Sequence, residues 1–173
     1  KVGSPIQSMV TGDFNLDGLL DVAISCSDNT IRIYEFYTRK SFALRNSFSC
    51  GGTTPFELKT ADLNGDGELD LVWSNFSSSN IGYALGSSAF TFGTVSLAST
   101  NANPFRLALA DYDGDCDIDV ACSLAGTADF NFFENTSGVL SLYNNPKGNN
   151  TAGYIVSITS ADYDEDGDID IVG

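Results

Sequence analysis

Four short acidic windows in the sequence contain residue types that bind metal ions. Each window has nine positions, with aspartate at positions 1, 5 and 9 and aspartate or asparagine at position 3. Oxygen atoms at alternate positions, followed by a turn at position 6 and a backbone carbonyl at position 7, can surround a hard cation. A flexible oxygen shell suits Ca²⁺ better than Mg²⁺, and we therefore predict up to four calcium sites. The side-chain ligands would be Asp13, Asn15, Asp17 and Asp21; Asp62, Asn64, Asp66 and Asp70; Asp111, Asp113, Asp115 and Asp119; and Asp162, Asp164, Asp166 and Asp170.

Two other interpretations of these windows are weaker. A single acidic turn is usually a solvated surface loop, but four copies in one register favour a metal site. An EF-hand needs a bidentate glutamate at position 12 between two helices. Position 12 is occupied here by Ile24, Trp73, Cys122 and Gly173, all in strand-like sequence. The EF-hand is therefore excluded, and the aspartate at position 9 is expected to complete each site.

Position 6 differs in one window. It is Gly18, Gly67 and Gly167 in three windows but Cys116 in the third. Glycine suits a turn with positive φ, and a residue with a Cβ atom loses about 1–2 kcal/mol there. We still expect the third window to bind, because Asp113 adds a charge where the first two windows have asparagine.

The charge distribution points in the same direction. The chain has 23 acidic and 8 basic residues, a formal net charge of −15 and no histidine. The four windows hold 3, 4, 5 and 6 of the acids, or 18 of the 23, and this clustering indicates a positively charged partner. Such a surface repels nucleic acid and anionic membranes. Without histidine no Ser-His-Asp or Cys-His arrangement can form, and carboxylates that bind Ca²⁺ are poor catalytic groups, so we predict that the protein is not an enzyme.

The windows belong to an internal repeat, and the repeat predicts the fold. Their first aspartates are separated by 49, 49 and 51 residues. Each period contains four short runs with strand-like alternation, for example residues 105–110, 118–122, 128–134 and 139–143 in the third repeat. Four strands in about 50 residues match one β-propeller blade, whereas a β-sandwich explains the strands but not the fixed repeat. We predict an all-β fold of propeller blades, each with four antiparallel strands.

The predicted blades divide the chain into residues 1–50, 51–99, 100–149 and a partial fourth repeat at 150–173. About three and a half blades cannot close a ring, because propellers have about four to eight. The sequence therefore predicts completion by further blades of the same chain or by copies of itself. A head-to-tail contact that does not close would generate a filament.

The repeated pattern D-x-[DN]-x-D-G-x-[LI]-D resembles the FG-GAP/VCBS-type repeats of integrin α-subunit propellers and related secreted proteins. The resemblance implies an integrin-like propeller, typically with seven blades, that holds Ca²⁺ between the first two strands of a blade. It also implies that the backbone carbonyls of four residues bind the calcium ions, namely those of Leu19, Glu68, Asp117 and Asp168. Only Phe92-Gly93 matches the turn that names the family, and no Gly-Ala-Pro follows. The resemblance therefore indicates the repeat class and not an integrin itself.

Cysteines and glycosylation sequons favour an extracellular or cell-surface protein. Four cysteines without a C-x-x-C pair predict disulfides, with Cys26–Cys50 favoured and Cys116–Cys122 left by elimination, although sequence alone allows three pairings. The sequons predict glycosylation at Asn75, Asn135 and Asn149. Both features are typical of secreted proteins.

These patterns lead to a functional hypothesis with alternatives. We expect a secreted structural, adhesive or scaffold module whose calcium ions stiffen the blades, with glycans or extracellular proteins as partners. A lectin-like propeller is the alternative, and a polysaccharide-active enzyme is a weaker one. Aromatic residues could form a sugar platform, but at strand positions they are more often core. The residues concerned are Trp73, Phe105, Phe132 and Phe133.

Overall fold

A computed structural model describes residues 3–38, 41–143 and 155–173 of the chain. Nearly all of the regular structure in these ranges is β-strand, with one short 3-10 helix at Phe76–Ser78. Consecutive strands pair antiparallel and build three four-stranded sheets. The predicted all-β fold made of four-stranded antiparallel sheets is confirmed.

Each repeat contributes its own sheet. The first sheet contains β1 (Ile6–Gly12), β2 (Asp21–Cys26), β3 (Thr30–Thr38) and β4 (Ser41–Ser49) in that spatial order. The second contains β5 (Pro55–Ala61), β6 (Asp70–Asn75) and β7 (Asn80–Ala84), then a separate ribbon of β8 (Gly86–Ser87) and β9 (Thr91–Phe92), and finally β10 (Ser96–Ser99) beside β7. The third contains β11 (Pro104–Ala110), β12 (Asp119–Leu124), β13 (Phe130–Thr136) and β14 (Val139–Tyr143). A two-stranded sheet of β15 (Thr159–Ala161) and β16 (Asp170–Val172) follows.

The second strand of each full sheet is its most buried element. Strands β6 and β12 are buried at every position, and β2 at every position but one. Each of these strands has a hydrogen-bonded neighbour on both sides and a sheet on one or both faces. This position explains why apolar and small residues run continuously through them instead of alternating.

The hydrophobic cores lie between successive sheets. Residues from the first and second sheets form the first core, which comprises Phe14, Ala23, Ile31, Ile33, Cys50, Leu58, Leu71, Trp73, Ala84 and Phe90. The second core joins the second and third sheets and comprises Leu63, Val72, Ile81, Tyr83, Ala98, Leu107, Val120, Cys122, Phe133 and Leu140. A smaller third core, with Ala108, Ala121 and Ile158, joins the third sheet to the final strand pair. The second and third sheets therefore pack on the previous sheet with one face and on the next sheet or strand pair with the other.

The first strands of successive sheets also contact one another directly. Strand β1 contacts β5, β5 contacts β11, and β11 contacts β15. Ser8 Oγ accepts a hydrogen bond from the Leu58 N–H at 3.2 Å, and the Glu57 carboxylate accepts the equivalent bond from the Leu107 N–H. The sheets are thus stacked with their first strands together, as the blades of a propeller are. The total number of blades stays a prediction.

Candidate metal centres

The four acidic windows form the connections between the first and second strands of the sheets. The first window begins directly after β1, and its last aspartate, Asp21, is the first residue of β2. The other three windows have the same relation to β5 and β6, to β11 and β12, and to β15 and β16. We call these connections loops 1 to 4. They are short loops between two strands, and no EF-hand helix flanks them.

The first aspartate of each loop holds the backbone of the turn. In loop 1, Asp13 Oδ1 accepts a hydrogen bond from the Asp17 N–H at 3.0 Å, and Oδ2 accepts one from Gly18 at 2.7 Å. In every loop the residue at position 6 donates to this carboxylate, at 2.7 Å in loop 2 and 3.0 Å in loops 3 and 4. Because the chain folds around this carboxylate, the side chains at positions 3 and 5 are brought towards it.

Positions 3 and 5 are held by the same kind of contact. In loop 2, Asn64 Oδ1 accepts a hydrogen bond from the Asp66 N–H at 3.2 Å, and Asp66 Oδ1 accepts one from the Glu68 N–H at 2.8 Å. The Asn64 side-chain amide also donates to Asp66 Oδ2 at 2.9 Å. Each oxygen-bearing side chain is therefore oriented by the backbone two residues further along.

Loops 3 and 4 bring three carboxylates together. One carboxylate oxygen from each of Asp111, Asp113 and Asp115 lies within 4.8 Å of the other two, and Asp162, Asp164 and Asp166 form an equivalent group. These loops have aspartate at position 3, where loops 1 and 2 have asparagine. Carboxylates at this separation repel one another unless a cation or protons neutralise them. The donor set contains only oxygen, which fits a hard divalent cation.

The aspartate at position 9 is a buried anchor that reaches two strands. Asp21, Asp70 and Asp119 are each 0% exposed. In loop 2, Asp70 Oδ2 accepts a hydrogen bond from the Leu63 N–H at 2.7 Å, and Oδ1 accepts one from the Gly86 N–H at 2.6 Å. In the first and third sheets the second contact comes from β3 and β13, through the N–H groups of Phe36 and Asn135. This carboxylate therefore ties its loop to the chain at the third strand of the sheet.

Burial raises the pKa values of these anchoring carboxyls. Loss of solvation is the largest cause at Asp70 and raises its pKa to about 6, while backbone hydrogen bonds oppose the shift and the nearby Asp66 and Asp62 add to it. Desolvation also raises the pKa values of Asp21 and Asp119. A buried charge is unfavourable unless it is compensated, so a cation nearby would favour the ionised form of all three.

The turn geometry confirms the expectation for position 6 and adds a second strained position. Position 6 has positive φ in all four loops, with values of 84° at Gly18, 83° at Gly67, 76° at Cys116 and 98° at Gly167. Position 4 also has positive φ, at Leu16, Gly65, Gly114 and Glu165. Sequence reasoning missed position 4, because glycine occupies it in only two of the four repeats. The non-glycine residues in this conformation are strained.

The carbonyl ligand roles at position 7 stay predictions. Leu19, Glu68, Asp117 and Asp168 each donate their N–H to the aspartate at position 5, at 2.8–2.9 Å. Asp117 has an additional structural role, because its Oδ2 accepts a hydrogen bond from the Ser137 N–H at 2.8 Å. This contact joins loop 3 to the turn between β13 and β14.

The structure does not form the expected disulfides. All four cysteines lie in the described ranges and all are free thiols; Cys26, Cys50 and Cys122 are buried, and Cys116 is exposed. The Cys50 thiol donates instead to the Gly52 carbonyl at 3.1 Å. Cys122 faces the second core while Cys116 lies at the exposed tip of loop 3, so the expected Cys116–Cys122 pair is separated by the fold.

Two of the three predicted glycosylation sites lie inside the folded chain. Asn75 and Asn135 are both 0% exposed, and their side-chain nitrogens donate hydrogen bonds within the protein. Asn75 Nδ2 bonds to the Cys50 carbonyl at 3.1 Å, and Asn135 Nδ2 bonds to the Leu63 carbonyl at 2.7 Å. Neither nitrogen can carry a glycan in this fold. Asn149 lies outside the described residues.

The aromatic residues divide between core and surface. Trp73 and Phe133 are 0% exposed, which agrees with the core interpretation, and Trp73 Nε1 donates to the Cys50 carbonyl at 2.9 Å. Phe105 is half-buried and stacks on Phe56 with ring centroids 4.6 Å apart. Phe132 is half-buried and lines a groove beside the last strand pair.

Comparison with known families agrees with this architecture. The model of the FG-GAP-like repeat matches residues 13–73 and again 62–122, two overlapping tandem units that each run from one acidic loop through the next. These matches span well over half of the chain, and the protein belongs to the FG-GAP-like repeat family. No curated protein matches the chain. Within the described residues, no helix is long and apolar enough to cross a membrane.

Proposed function

We propose that this protein is an extracellular calcium-binding β-propeller module with a structural, adhesive or scaffold role, and that each acidic loop holds one Ca²⁺. The observation that carries the proposal is the repeated oxygen cluster, whose members in loop 3 are Asp111, Asp113 and Asp115. Four loops share the backbone contacts that orient these oxygens. A solvated acidic turn has no need for the same arrangement in four successive repeats.

The residues of the loops suggest what calcium would do. Bound calcium would supply the positive charge that neutralises the converging carboxylates. Asp70 holds loop 2 to the chain at Gly86 and is buried, so fixing loop 2 would also fix the chain directly after the third strand of the second sheet. Calcium would therefore stabilise each blade, not merely its loop.

A non-catalytic, extracellular role fits the same residues. The chain contains no histidine, and its acidic residues are concentrated in the proposed metal loops. Calcium-binding modules of extracellular proteins work with dissociation constants of about 10⁻⁴–10⁻³ M. Loops 1 and 2 are exposed, and positions 1, 3 and 5 of each supply only two carboxylates and one amide. We expect calcium dissociation constants in this range for them.

A thermal unfolding experiment tests the calcium proposal. The unfolding temperature should rise when calcium replaces EDTA, since a ligand at 100 times its Kd stabilises by about 2.7 kcal/mol. The double variant Asp62→Asn, Asp66→Asn should lose part of that rise. Asp129→Asn is the matched control, because Asp129 is an exposed acid outside the loops. Equal calcium shifts in both variants would reject a site in loop 2.

We further propose that the module packs against other FG-GAP-like repeats, either later in a longer chain or in another copy. Met9 occupies the position in the first repeat that Leu58 and Leu107 occupy in the next two. Met9 is 61% exposed, whereas each leucine is 1% exposed because it lies in a core between two sheets. Phe42 and Leu44, on the same face of the first sheet, are 56% and 52% exposed. This face is equivalent to the faces that a preceding sheet covers in the second and third sheets.

Light scattering tests whether copies use this face. If copies associate, the wild-type chain should exceed its monomer mass of 18.4 kDa as concentration rises, and Met9→Lys with Leu44→Lys should restore the monomer. A control with Leu97→Lys, on a different surface, should associate like the wild type. A wild-type chain that stays monomeric at all concentrations would reject self-association and leave only completion within a longer chain.

A further inference from the structure

Loop 2 contains a peptide step whose chemistry differs from that of the other three loops. Asn64 is followed by Gly65, and this is the only asparagine–glycine step in the sequence. The backbone nitrogen that follows an asparagine can attack the side-chain amide carbon, and glycine allows this attack best because it has no Cβ atom to shield its nitrogen. Gly65 is exposed and Asn64 is half-buried, so water reaches the step in the folded chain.

The fold leaves open space around the attacking nitrogen. Loop 2 belongs to the second sheet, whose two faces pack on the first and third sheets. Even between these neighbours, a Cβ atom built at Gly65 has no other atom within 4 Å. The exposure of this step is therefore a property of a loop whose neighbouring sheets are both present.

The hydrogen bonds of loop 2 hold the three groups that would react. The nucleophile is the Gly65 nitrogen, whose N–H donates to Asp62 Oδ1 at 2.8 Å. The electrophile is Asn64 Cγ, and its Oδ1 accepts the Asp66 N–H at 3.2 Å, a contact that would stabilise negative charge on this oxygen during the attack. The leaving group is Asn64 Nδ2, which donates to Asp66 Oδ2 at 2.9 Å. One turn therefore orders the nucleophile, the electrophile and the leaving group.

Loop 1 has the same asparagine without the glycine. Asn15 Oδ1 accepts the Asp17 N–H at 3.1 Å, and Asn15 Nδ2 donates to Asp17 Oδ2 at 2.9 Å, as the amide does in loop 2. The next residue is Leu16, whose side chain shields its own backbone nitrogen. Among the described residues, no hydrogen bond joins the Leu16 N–H to Asp13. The two asparagines are therefore matched at the electrophile and differ at the nucleophile.

We propose that Asn64 is a site of spontaneous deamidation, which converts the amide at position 3 of loop 2 into a carboxylate. The Gly65 nitrogen forms a bond to Asn64 Cγ, the Cγ–Nδ2 bond breaks, and the Gly65 amide proton passes through solvent to the departing ammonia. Water then opens the five-membered imide ring. Attack of water at Cγ gives aspartate, and attack at the backbone carbonyl gives isoaspartate. The step consumes water, releases ammonia and needs no oxidant or reductant.

The consequence for the metal site rests on the calcium role proposed above. Aspartate at position 64 would give loop 2 the three carboxylates that loops 3 and 4 already have. Isoaspartate would instead lengthen the backbone by one atom and displace the oxygen at position 3. A cation held by Asp62 and Asn64 would fix both side chains and keep Cγ from the Gly65 nitrogen. We therefore expect bound calcium to slow the step.

Peptide mapping by mass spectrometry tests the inference. The whole chain is incubated in EDTA at neutral pH and sampled over time, with a parallel sample in urea. In the folded chain, the peptide that contains Asn64 should gain an acid group, the peptide that contains Asn15 should not, and ammonia should appear in proportion. Aspartate–glycine steps such as Asp66–Gly67 can form the same ring but release no ammonia. Conversion of Asn64 in urea but not in the folded chain, or in neither, would overturn the proposal.

Two variants test the role of the following residue. Gly65→Ala should slow conversion of Asn64 at least about tenfold, a barrier higher by about 1.4 kcal/mol. Because it also places a Cβ atom on a backbone with a φ of 73°, Leu16→Gly provides a second test that adds no strain. This variant should speed the loss of ammonia from Asn15 at least about tenfold. Equal rates at Asn15 in the variant and the wild-type chain would overturn the proposal.

The same incubation in calcium separates this inference from the calcium proposal. Slower conversion of Asn64 in calcium than in EDTA would support both. Equal conversion in calcium and EDTA would support the modification site and reject a calcium ion held by loop 2. An unchanged Asn64 in both buffers, in a chain whose unfolding temperature rises with calcium, would overturn the modification site and retain the calcium proposal.

Discussion

Cys116 is the strained residue whose replacement tests the loop geometry most simply. Its φ of 76° falls in the left-handed region, where the other three loops have glycine. A Cβ atom there costs about 1–2 kcal/mol. Glycine would remove that cost but would lose about 0.5–1 kcal/mol through the greater entropy of the unfolded chain. We therefore expect Cys116→Gly to stabilise the protein by about 0.5–1 kcal/mol.

No steric effect should complicate the result. A Cβ atom built at Gly18, Gly67 or Gly167 has no neighbour within 4 Å, so the difference between cysteine and glycine comes from the backbone alone. The reverse change, Gly67→Ala, should destabilise the protein by a similar amount. A change of 1 kcal/mol moves the midpoint by about 2–4 °C in a chain of this size, and differential scanning calorimetry resolves such a shift.

The control for Cys116→Gly is Cys116→Ala. Alanine removes the thiol but keeps the Cβ atom and therefore the strain. If Cys116→Ala and Cys116→Gly have the same midpoint in reducing buffer, the gain comes from loss of the thiol and the strain argument fails. If Gly67→Ala does not destabilise, the positive φ at position 6 has no energetic cost, and the account of the turn is wrong.

Three other predictions concern buried polar groups. The pKa of Asp70 is raised from 3.8 to about 6 in the folded chain, so the calcium-free protein binds more protons when folded than when unfolded. Its free energy of unfolding should therefore fall by up to about 3 kcal/mol as the pH rises from 4 to 7. Chemical denaturation in EDTA across this range checks the sign, and constant or rising stability would contradict it. Asn135→Ala leaves the Leu63 and Ile118 carbonyls without their donor and should cost about 1–3 kcal/mol, measured by urea unfolding against the surface control Asn101→Ala. Mass spectrometry of peptides from the natural protein should find Asn75 unmodified, and a glycan there would show that this part of the fold is wrong.

The sequence was sufficient to predict the repeat, the strands and the loop positions. Strand periodicity and the spacing of the aspartates both follow from local chemistry, which one repeat after another presents in the same order. The positions of Asp13 and Asp17 in a turn, and the positive φ at Gly18, follow from contacts within five residues. Such contacts need no knowledge of the remaining chain.

Predictions that depended on packing between sheets were less successful. The sequon at Asn75 is chemically valid, but the side chain is buried against Cys50, 25 residues away. The pairing of Cys116 with Cys122 followed only by elimination, and the strand that starts at Asp119 carries Cys122 into the core. The contact of the ninth aspartate of loops 1 to 3 with the chain at the third strand was also missed, because 15 or 16 residues separate the partners.

The number of calcium ions bound per chain tests the central claim most directly. Isothermal titration calorimetry of the metal-free protein with Ca²⁺ reports stoichiometry and affinity together, and Mg²⁺ provides the comparison ion. The account predicts up to four calcium ions per chain, with loops 3 and 4 binding more tightly than loops 1 and 2 because they carry an additional carboxylate at position 3. No heat of binding at millimolar calcium, together with an unfolding temperature that does not differ between calcium and EDTA, would contradict it.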